Sequence, residues 1–171
     1  TNGEDISSDE GEAGDSALTS LSGFTTYDAA SLSMTWQFGD GSVGGDLYVS
    51  FVFASEEYIN FIDTQYNDVF GFFLDGTAAS DNIAEVNGDA VSINTINDVD
   101  NSSYYRNNVA NTNGFTDLGL DINFDGLTTV ITVKALGLSS GTHSMKFAIA
   151  DASDGILDSA VFVAASSFAD T

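Results

Sequence analysis

The clearest chemical pattern in the sequence is a run of oxygen-bearing side chains, Asp121, Asn123 and Asp125, at alternate positions before Gly126. Calcium binds roughly six to eight oxygen ligands, and acidic or amide side chains at alternate positions before a glycine turn form the first half of a calcium loop. The glutamate that would complete an EF-hand is missing, because Thr132 stands at that place. The run therefore predicts half of a calcium site completed from elsewhere in the chain, with a polar β-turn as the alternative.

Further acidic and amide residues stand where apolar segments begin or end. Each group alone is consistent with a solvated loop, but the chain carries 26 Asp and Glu against 3 Lys and Arg, a formal charge of −23. Carboxylates that come close together are destabilising unless a cation or wide spacing relieves them. We therefore predict at least one bound divalent cation, Ca²⁺. Its candidate ligands outside the first loop are Glu56, Glu57, Asn67, Asp68, Asp151, Asp154 and Asp158.

An aromatic segment, Tyr104, Tyr105, Arg106 and Asn107, carries the one arginine of the chain. Exposed tyrosine and arginine are favoured at recognition surfaces, because they offer a large contact area and several hydrogen-bond donors. The segment is therefore a candidate ligand-binding loop. In the alternative interpretation the rings cover an edge of the core and Arg106 pairs with one of the many acids.

Patterns that indicate catalysis are weak. Glu56, Glu57 and an Asp could form the carboxylate pair of a glycosidase, and carboxylate-rich metal sites can hydrolyse phosphodiesters. However, the sequence has no phosphate-binding glycine loop, no serine elbow, no cysteine and a single histidine, His143, with no acid in a readable arrangement beside it. We therefore expect a binding domain and not an enzyme.

The charge also limits the partners. A surface this negative repels phosphate backbones and anionic headgroups, so direct binding to nucleic acid is excluded. No apolar run approaches the roughly 20 residues of a membrane span, so we expect no direct membrane insertion. The chain starts with neither Met nor a secretory signal, and we expect it to be a segment of a longer protein.

The elements that must position these residues are strands. Apolar and polar residues alternate over 31–38, the pattern of a half-buried strand, and Val69–Leu74 is apolar on both faces, as in a central strand. Asn87-Gly88 between two short apolar segments predicts a hairpin turn. The fold class is therefore all-β, an antiparallel β-sandwich or jelly-roll-like domain with long calcium-binding loops.

The domain boundary is placed by composition. Residues 1–16 hold six acids, one large apolar residue and no aromatic residue, too little apolar surface to offset the entropy of ordering. We predict an acidic linker or arm over 1–16 and a single β-sandwich ligand-binding domain over 17–171.

Five motifs together resemble the choice-of-anchor L domain of bacterial surface and secreted proteins, in the family's order and over about residues 24–168. They are Phe53–Tyr58, Asn67–Leu74, Val91–Asn94, Phe124–Thr128 and Ala148–Phe162. The same kind of module is similar to the calcium-dependent peptide-binding domain near the distal end of long repeat-in-toxin (RTX) adhesins.

The resemblance implies a calcium-bound sandwich at the bacterial cell surface, secreted as part of a larger multi-domain adhesin. Its implied partners are exposed peptides, above all the C-termini of proteins on host or neighbouring cells. Two alternatives remain open at this point. One is a calcium-dependent lectin, in which the ion binds sugar hydroxyls. The other is a spacer domain in which calcium is only structural.

Overall fold

The computed structural model describes residues 9–110, 114 and 116–165. The strands are β1 (Thr26–Gln37), β2 (Gly45–Ser55), β3 (Val69–Leu74), β4 (Glu85–Val86), β5 (Asp89–Ser92), β6 (Tyr105–Asn107), β7 (Gly126–Thr128), β8 (Ile131–Leu138), β9 (Thr142–Ala152) and β10 (Ser159–Val163). The helices are α1 (Ser16–Ser22) and two short 3₁₀ helices, Ala79–Asp81 and Ser102–Tyr104. No helix in these residues has the length and apolarity that crossing a membrane requires.

The strands form two sheets. The first has the order β1-β9-β3-β5-β4 and the second the order β10-β2-β7-β6, with β8 also paired to β2. The strand pairs of both sheets are antiparallel. The predicted all-β antiparallel sandwich is therefore confirmed.

Aromatic side chains fill the space between the sheets. The ring centroids of Phe51 and Phe70, which come from opposite sheets, are 4.8 Å apart, and those of Phe72 and Phe147 are 4.4 Å apart. All four side chains are buried. Complete burial of one such side chain contributes about 1.5–3 kcal/mol, so these rings are a substantial part of the stabilising core between the sheets.

Strand β3 is covered on both faces, as its sequence predicts. Phe70 and Phe72 face the second sheet, whereas Val69 and Phe73 pack with Leu18 of α1 on the outer face. Gly71 is required for this packing, because a Cβ there would lie 2.5 Å from Cζ of Phe73. The helix thus closes the outer face of the first sheet.

The predicted hairpin is also confirmed. Val86 of β4 pairs with Asp89 of β5, and the two residues between them, Asn87 and Gly88, have φ angles of 55° and 96°. A two-residue turn with positive φ at both positions matches the twist of the flanking strands. Asparagine and glycine adopt this conformation most readily.

Residues 9–16, which the sequence analysis assigns to the acidic arm, contact the sandwich. Ala13 forms a bridge with Tyr27 at the start of β1. The Asp15 side chain caps α1, with Oδ1 accepting from the Ala17 and Leu18 amides at 2.8 and 3.2 Å, and it forms an ion pair with Lys146 of β9. The packed chain therefore extends to residues before 17, while residues 1–8 of the predicted arm lie outside the described part.

Candidate functional site

Most predicted metal ligands lie at one end of the sandwich, which we call the acid end. Strands β2 and β9 finish there, and β1, β3, β7 and β10 begin there. Each of these strand ends carries an acidic residue in the strand or in the adjoining loop. They are Asp28, Glu56, Glu57, Asp68, Asp125, Asp151, Asp154 and Asp158.

Asp68 is fully buried and connects the elements of the acid end. Its Oδ1 accepts a hydrogen bond from the amide of Ala152 at 3.0 Å, and its Oδ2 accepts from the hydroxyl of Ser159 at 2.7 Å. Burial raises the pKa of Asp68 to about 7, although these hydrogen bonds oppose the shift. Both carboxylate oxygens thus accept hydrogen bonds, so Asp68 acts mainly as a fixed anchor around which the other acids are arranged.

Glu57 is the most unusual residue of the group. Only 2% of its surface is exposed, and its Oε2 atom has no hydrogen-bond partner in the described residues. Burial raises the pKa of Glu57 to about 9, and the charges of Asp68, Asp154, Asp151 and Glu56 add to the shift, in that order. A buried carboxylate oxygen without a donor is destabilising, and a bound cation would satisfy it.

Asp151 has the same character. It lies near the end of β9 and is 7% exposed. Burial raises its pKa to about 8, and the charges of Asp68 and Asp158 are the next causes. Without a cation, Glu57 and Asp151 are largely protonated at neutral pH. A divalent cation would favour their charged forms.

The carboxylates are gathered but not closed around an ion. In the described part of the chain, no three Asp, Glu or His side chains already surround a point at which a metal could be held. Binding would therefore have to draw the side chains together. Glu57, Asp151 and Asp154 are the residues best placed to do so, because each of the three interacts electrostatically with the anchor Asp68.

A solvent-open pocket of about 240 Å³ adjoins this group, and we call it the acidic pocket. Its acidic lining residues are Glu10, Asp28, Asp151 and Asp158. Burial raises the pKa of Asp158, and the charges of Glu10 and Asp28 add to the shift. We call Glu56, Glu57, Asp68, Asp151 and Asp154 the buried group, and Asp151 thus belongs to both the buried group and the acidic pocket.

Asp28 and Glu10 are site residues that the sequence analysis missed. Asp28 interrupts the strand pattern of β1 with a φ of 46°, and its carboxylate accepts from the amides of Glu10 and Glu12 at 3.0 and 2.6 Å. The one signal in the sequence is an acid inside a strand that is otherwise uncharged. Gly155 packs against it, since a Cβ there would lie 2.6 Å from Oδ2 of Asp28.

Asn67 uses its side chain for the fold. Its Nδ2 donates to the carbonyl of Ser22 at the end of α1 at 3.0 Å, and its Oδ1 accepts from the amide of Asn94 at 3.0 Å. These bonds hold the helix to the loop before β3. The side chain of Asn67 is therefore engaged away from the predicted calcium ligands.

The Asp121–Asp125 loop reaches the acid end through its last residue. Asp121 and Asn123 are exposed, whereas the Asp125 amide donates to the carbonyl of Ser55 at 3.2 Å. The charges that most raise the pKa of Glu57 come from the buried group and not from this loop. The predicted half-site thus lies beside the end of β2, and its participation in calcium binding stays a prediction.

The prediction of a ligand-binding loop is wrong for two of its four residues. Tyr105 and Asn107 are each 1% exposed, and the Tyr105 ring packs against that of Tyr58 at a centroid distance of 5.0 Å. A ligand in solvent cannot contact these side chains unless the core opens. The alternation of β6 places both on its inner face, so for these residues the core-edge interpretation is correct.

The other two residues of that loop remain accessible to different degrees. Tyr104 is half-buried against the core. Arg106 is exposed, and its Nη1 donates to the carbonyls of Ser103 and Tyr105 at 3.1 and 2.6 Å. Within the described residues Arg106 thus bonds to backbone carbonyls and forms no ion pair with an acid.

Comparison with known proteins gives one match. The model of the choice-of-anchor L domain family matches residues 1–169. No curated protein and no solved structure matches the chain. Because the match covers nearly the entire sequence, the chain belongs to the choice-of-anchor L domain family and is a surface-associated, extracellular type of module.

Proposed function

We propose that this domain is a calcium-dependent peptide-binding module of a bacterial surface adhesin. It binds exposed C-terminal peptides of proteins on host or neighbouring cells and carries out no catalytic step. The observation that best supports the proposal is Glu57, a fully buried glutamate with an oxygen that lacks a donor, surrounded by four further carboxylates. Such a group requires either protons or a cation.

Calcium suits the site better than other cations. The side chains at the acid end offer oxygen atoms, which calcium prefers, and the chain has no cysteine thiolates for softer metals. Glu57, Asp151 and Asp154 would hold the ion, and Asp68 would keep them in place through the bonds to Ala152 and Ser159. When bound, the ion supplies positive charge at the centre of a strongly negative surface.

The negative charge of the domain means that a carboxylate ligand would need a bound cation at its site. A surface with a formal charge of −23 repels a peptide carboxylate unless a cation reverses the field locally. Asp151 lies at the boundary between the buried group and the solvent-open acidic pocket. An ion held there could leave a coordination position open to solvent. A free C-terminal carboxylate is a suitable ligand for that position.

One observation supports the lectin alternative. Tyr27 is 42% exposed and is paired directly across from Asp151 on β9. An exposed aromatic ring beside a bound calcium is a surface on which a sugar face could pack. Peptide and glycan must therefore be compared in one experiment.

The test is a paired array of short peptides, each synthesised once with a free C-terminal carboxylate and once as the amide, beside a glycan array. Labelled protein is applied in millimolar calcium and again in EDTA. We expect binding to a subset of the free-acid peptides, and we expect both amidation and EDTA to abolish it. The variant Glu57→Gln is applied in the same way and should lose binding, because it lacks a proposed calcium ligand. Its matched control is Glu85→Gln, altered at an exposed acid of β4, which should bind as the parent does.

Other outcomes would contradict the proposal. Equal binding of the amide and the acid would rule out a carboxylate on calcium. Calcium-dependent binding of neutral glycans in place of peptides would establish the lectin alternative. Binding of neither would leave the spacer role.

A further inference from the structure

An apolar groove opens between the edge strands of the two sheets. β1 is the edge of the first sheet and β10 the edge of the second. The groove between them has a volume of about 440 Å³, within the range of ligand-binding sites. Its apolar lining includes Leu32, Met34, Phe147, Ile149, Val161 and Val163.

The groove is part of the sandwich interior that the fold leaves open. Phe147 at its floor belongs to the buried core, but Leu32 and Val163 at its rims are 59% and 39% exposed. Large apolar side chains that form a continuous exposed surface indicate a binding site. The free energy that would drive binding is the removal of these side chains from water.

Both rims carry strand edges with backbone groups available for pairing. Among the described residues, β1 pairs along its length with β9 alone and β10 with β2 alone. Within the described part of the chain, the other edge of β1 is covered only at its start, where the amides of Asp28 and Ala29 donate to the carbonyls of Glu12 and Ala13 at 3.1 and 3.2 Å. An extended peptide has the donors and acceptors that such an edge needs, whereas an acyl chain has none.

The groove leads directly into the acidic pocket, because Ala30 and Ile149 line both. β1 and β10 both begin at the acid end and run away from it. A peptide that pairs antiparallel with either strand therefore runs towards the acid end and places its C-terminus at the pocket. Antiparallel pairing is also the more stable arrangement.

The charge of the domain argues against other occupants. Two copies of a chain with a formal charge of −23 repel each other, and an acidic surface also repels anionic lipid. A peptide whose C-terminal carboxylate binds calcium is not repelled in this way, because the ion offsets the negative charge at that point.

We propose that this groove binds the residues preceding the C-terminus of the peptide, as an extended strand antiparallel to β1 and β10. The proposal rests on the proposed function and adds a sequence preference to it. Side chains of a strand alternate, and the four steps from Ala30 to Met34 span about 13 Å. Two apolar side chains at alternate positions of the peptide therefore enter the groove.

The test uses the free-acid peptides that bind in the array, with each upstream position changed in turn between Leu and Ser. Affinities are measured in millimolar calcium for the parent and for Leu32→Asn and Val163→Asn, whose exposed positions should tolerate the change. Leu136→Asn, at a position of β8 that is 63% exposed, is the matched control. Thermal unfolding in calcium checks that each variant folds.

We expect Ser to weaken binding by about tenfold at two alternate upstream positions and little at the position between them. Leu32→Asn and Val163→Asn should remove this preference while the need for calcium and a free carboxylate persists, and Leu136→Asn should change nothing. If both groove variants bind all peptides as the parent does, the groove is not the site, although the proposed function stands. If no free-acid peptide binds at all, both fail. A dimer in light scattering that Leu32→Asn dissociates would assign the groove to a second copy instead.

Discussion

The hydroxyl of Ser159 donates a hydrogen bond to Oδ2 of Asp68 at 2.7 Å. The bond links the start of β10 in the second sheet to the residue before β3 in the first sheet, so it joins the two sheets at the acid end. It also keeps a buried carboxylate in a fixed position among Glu57, Asp151 and Asp154. The proposed calcium site therefore has a carboxylate in a fixed position at its base, around which the other ligands would close.

Calcium should stabilise the domain. A ligand at a hundredfold excess over its Kd adds about 2.7 kcal/mol, which raises Tm by about 5–11 °C for a domain of this size. Thermal unfolding in EDTA and in millimolar calcium measures the difference. Magnesium at the same concentration is the control for ionic strength, and coincident curves in calcium and EDTA would contradict a structural ion.

The thermal stability of the metal-free domain should decrease as the pH rises from mildly acidic to mildly basic. The raised folded-state pKa values of Asp68, Asp151 and Glu57, about 7, 8 and 9, favour the protonated acids in the folded state. Their contribution to stability is complete below the unfolded pKa of about 4 and is lost as the pH rises through these values. In EDTA, Tm should therefore fall between about pH 5 and about pH 9.

Calcium should remove this dependence, because the ion competes with the protons for the same carboxylates. The comparison is Tm against pH in calcium and in EDTA. If Tm in EDTA rises over this interval, the carboxylates are not held protonated and the crowding we describe does not exist.

Glu57→Gln should act in opposite directions on the two forms. In the metal-free domain at neutral pH the amide resembles the protonated acid, so Tm in EDTA should stay level or rise. In calcium the variant lacks a ligand and should lose most of the stabilisation, about 5–11 °C. Glu85→Gln should show neither effect. An equal loss of Tm in EDTA and calcium would mean that Glu57 is only a packing residue.

His143 should stabilise the fold in its charged form. Its Nδ1 lies 2.6 Å from Oδ2 of Asp75 and its Nε2 lies 2.9 Å from the carbonyl of Ser139. The hydrogen bond to the Ser139 carbonyl is the largest single cause that raises the pKa of His143, and the hydrogen bond to Asp75 and its charge add to the shift. The stabilisation is complete below the ordinary histidine pKa and is lost as the pH rises through the raised folded-state value.

The variant His143→Gln should therefore be less stable than the parent at low pH by about 1.5 kcal/mol, or about 3–6 °C in Tm, and the gap should narrow as the pH rises. Asp75→Asn keeps the acceptor for the Ser144 amide but removes the charge. When His143→Gln is compared with its parent in the Asp75→Asn background, the difference in Tm should therefore depend less on pH. A gap of constant size across the pH range would assign His143 to packing alone.

Asp15 should contribute to stability but not to calcium binding. Asp15→Ala removes the cap of α1, which costs about 0.5–2 kcal/mol, together with the ion pair to Lys146. Asp15→Asn keeps a capping oxygen and removes only the ion pair, so it should cost less. Unfolding in denaturant gives both free energies, and calcium titration should give the parent affinity for both. If Asp15→Ala costs nothing, residues before 17 do not contribute to the folded domain.

Strand and turn patterns were sufficient to predict the sandwich and the position of many acids next to strand ends, but not which of these acids lie together. The apolar run Val69–Leu74 could be assigned to a covered strand because both of its faces are apolar, and Asn87-Gly88 predicts its turn from backbone sterics alone. The observed strand order then brings the acids that follow β2 and β9 to the same end as those that precede β3 and β10. The gathering of Glu57, Asp68, Asp151 and Asp154 follows from this topology.

The sequence could not predict which polar residues are used by the fold. Asn67 and Asp68 are neighbours of similar size, yet one side chain binds α1 and the other enters the acid end, because successive residues point in opposite directions. Tyr105 and Asn107 look like a recognition loop only until the pairing of β6 places them inside. Asp28 is missed because its role depends on a positive φ and on contacts with Glu10 and Glu12, which come from a segment with only one large apolar residue.

Calcium titration by calorimetry, performed in two buffers of different protonation enthalpy, tests the central claim most directly. Because Glu57 and Asp151 are held protonated without a cation, calcium should bind with release of protons, and the apparent heat should depend on the buffer. Glu57→Gln should weaken binding and reduce the number of protons released, and Glu85→Gln should reproduce the parent. Absence of calcium binding, or binding that Glu57→Gln leaves unchanged, would contradict the assignment of the acid end as a calcium site.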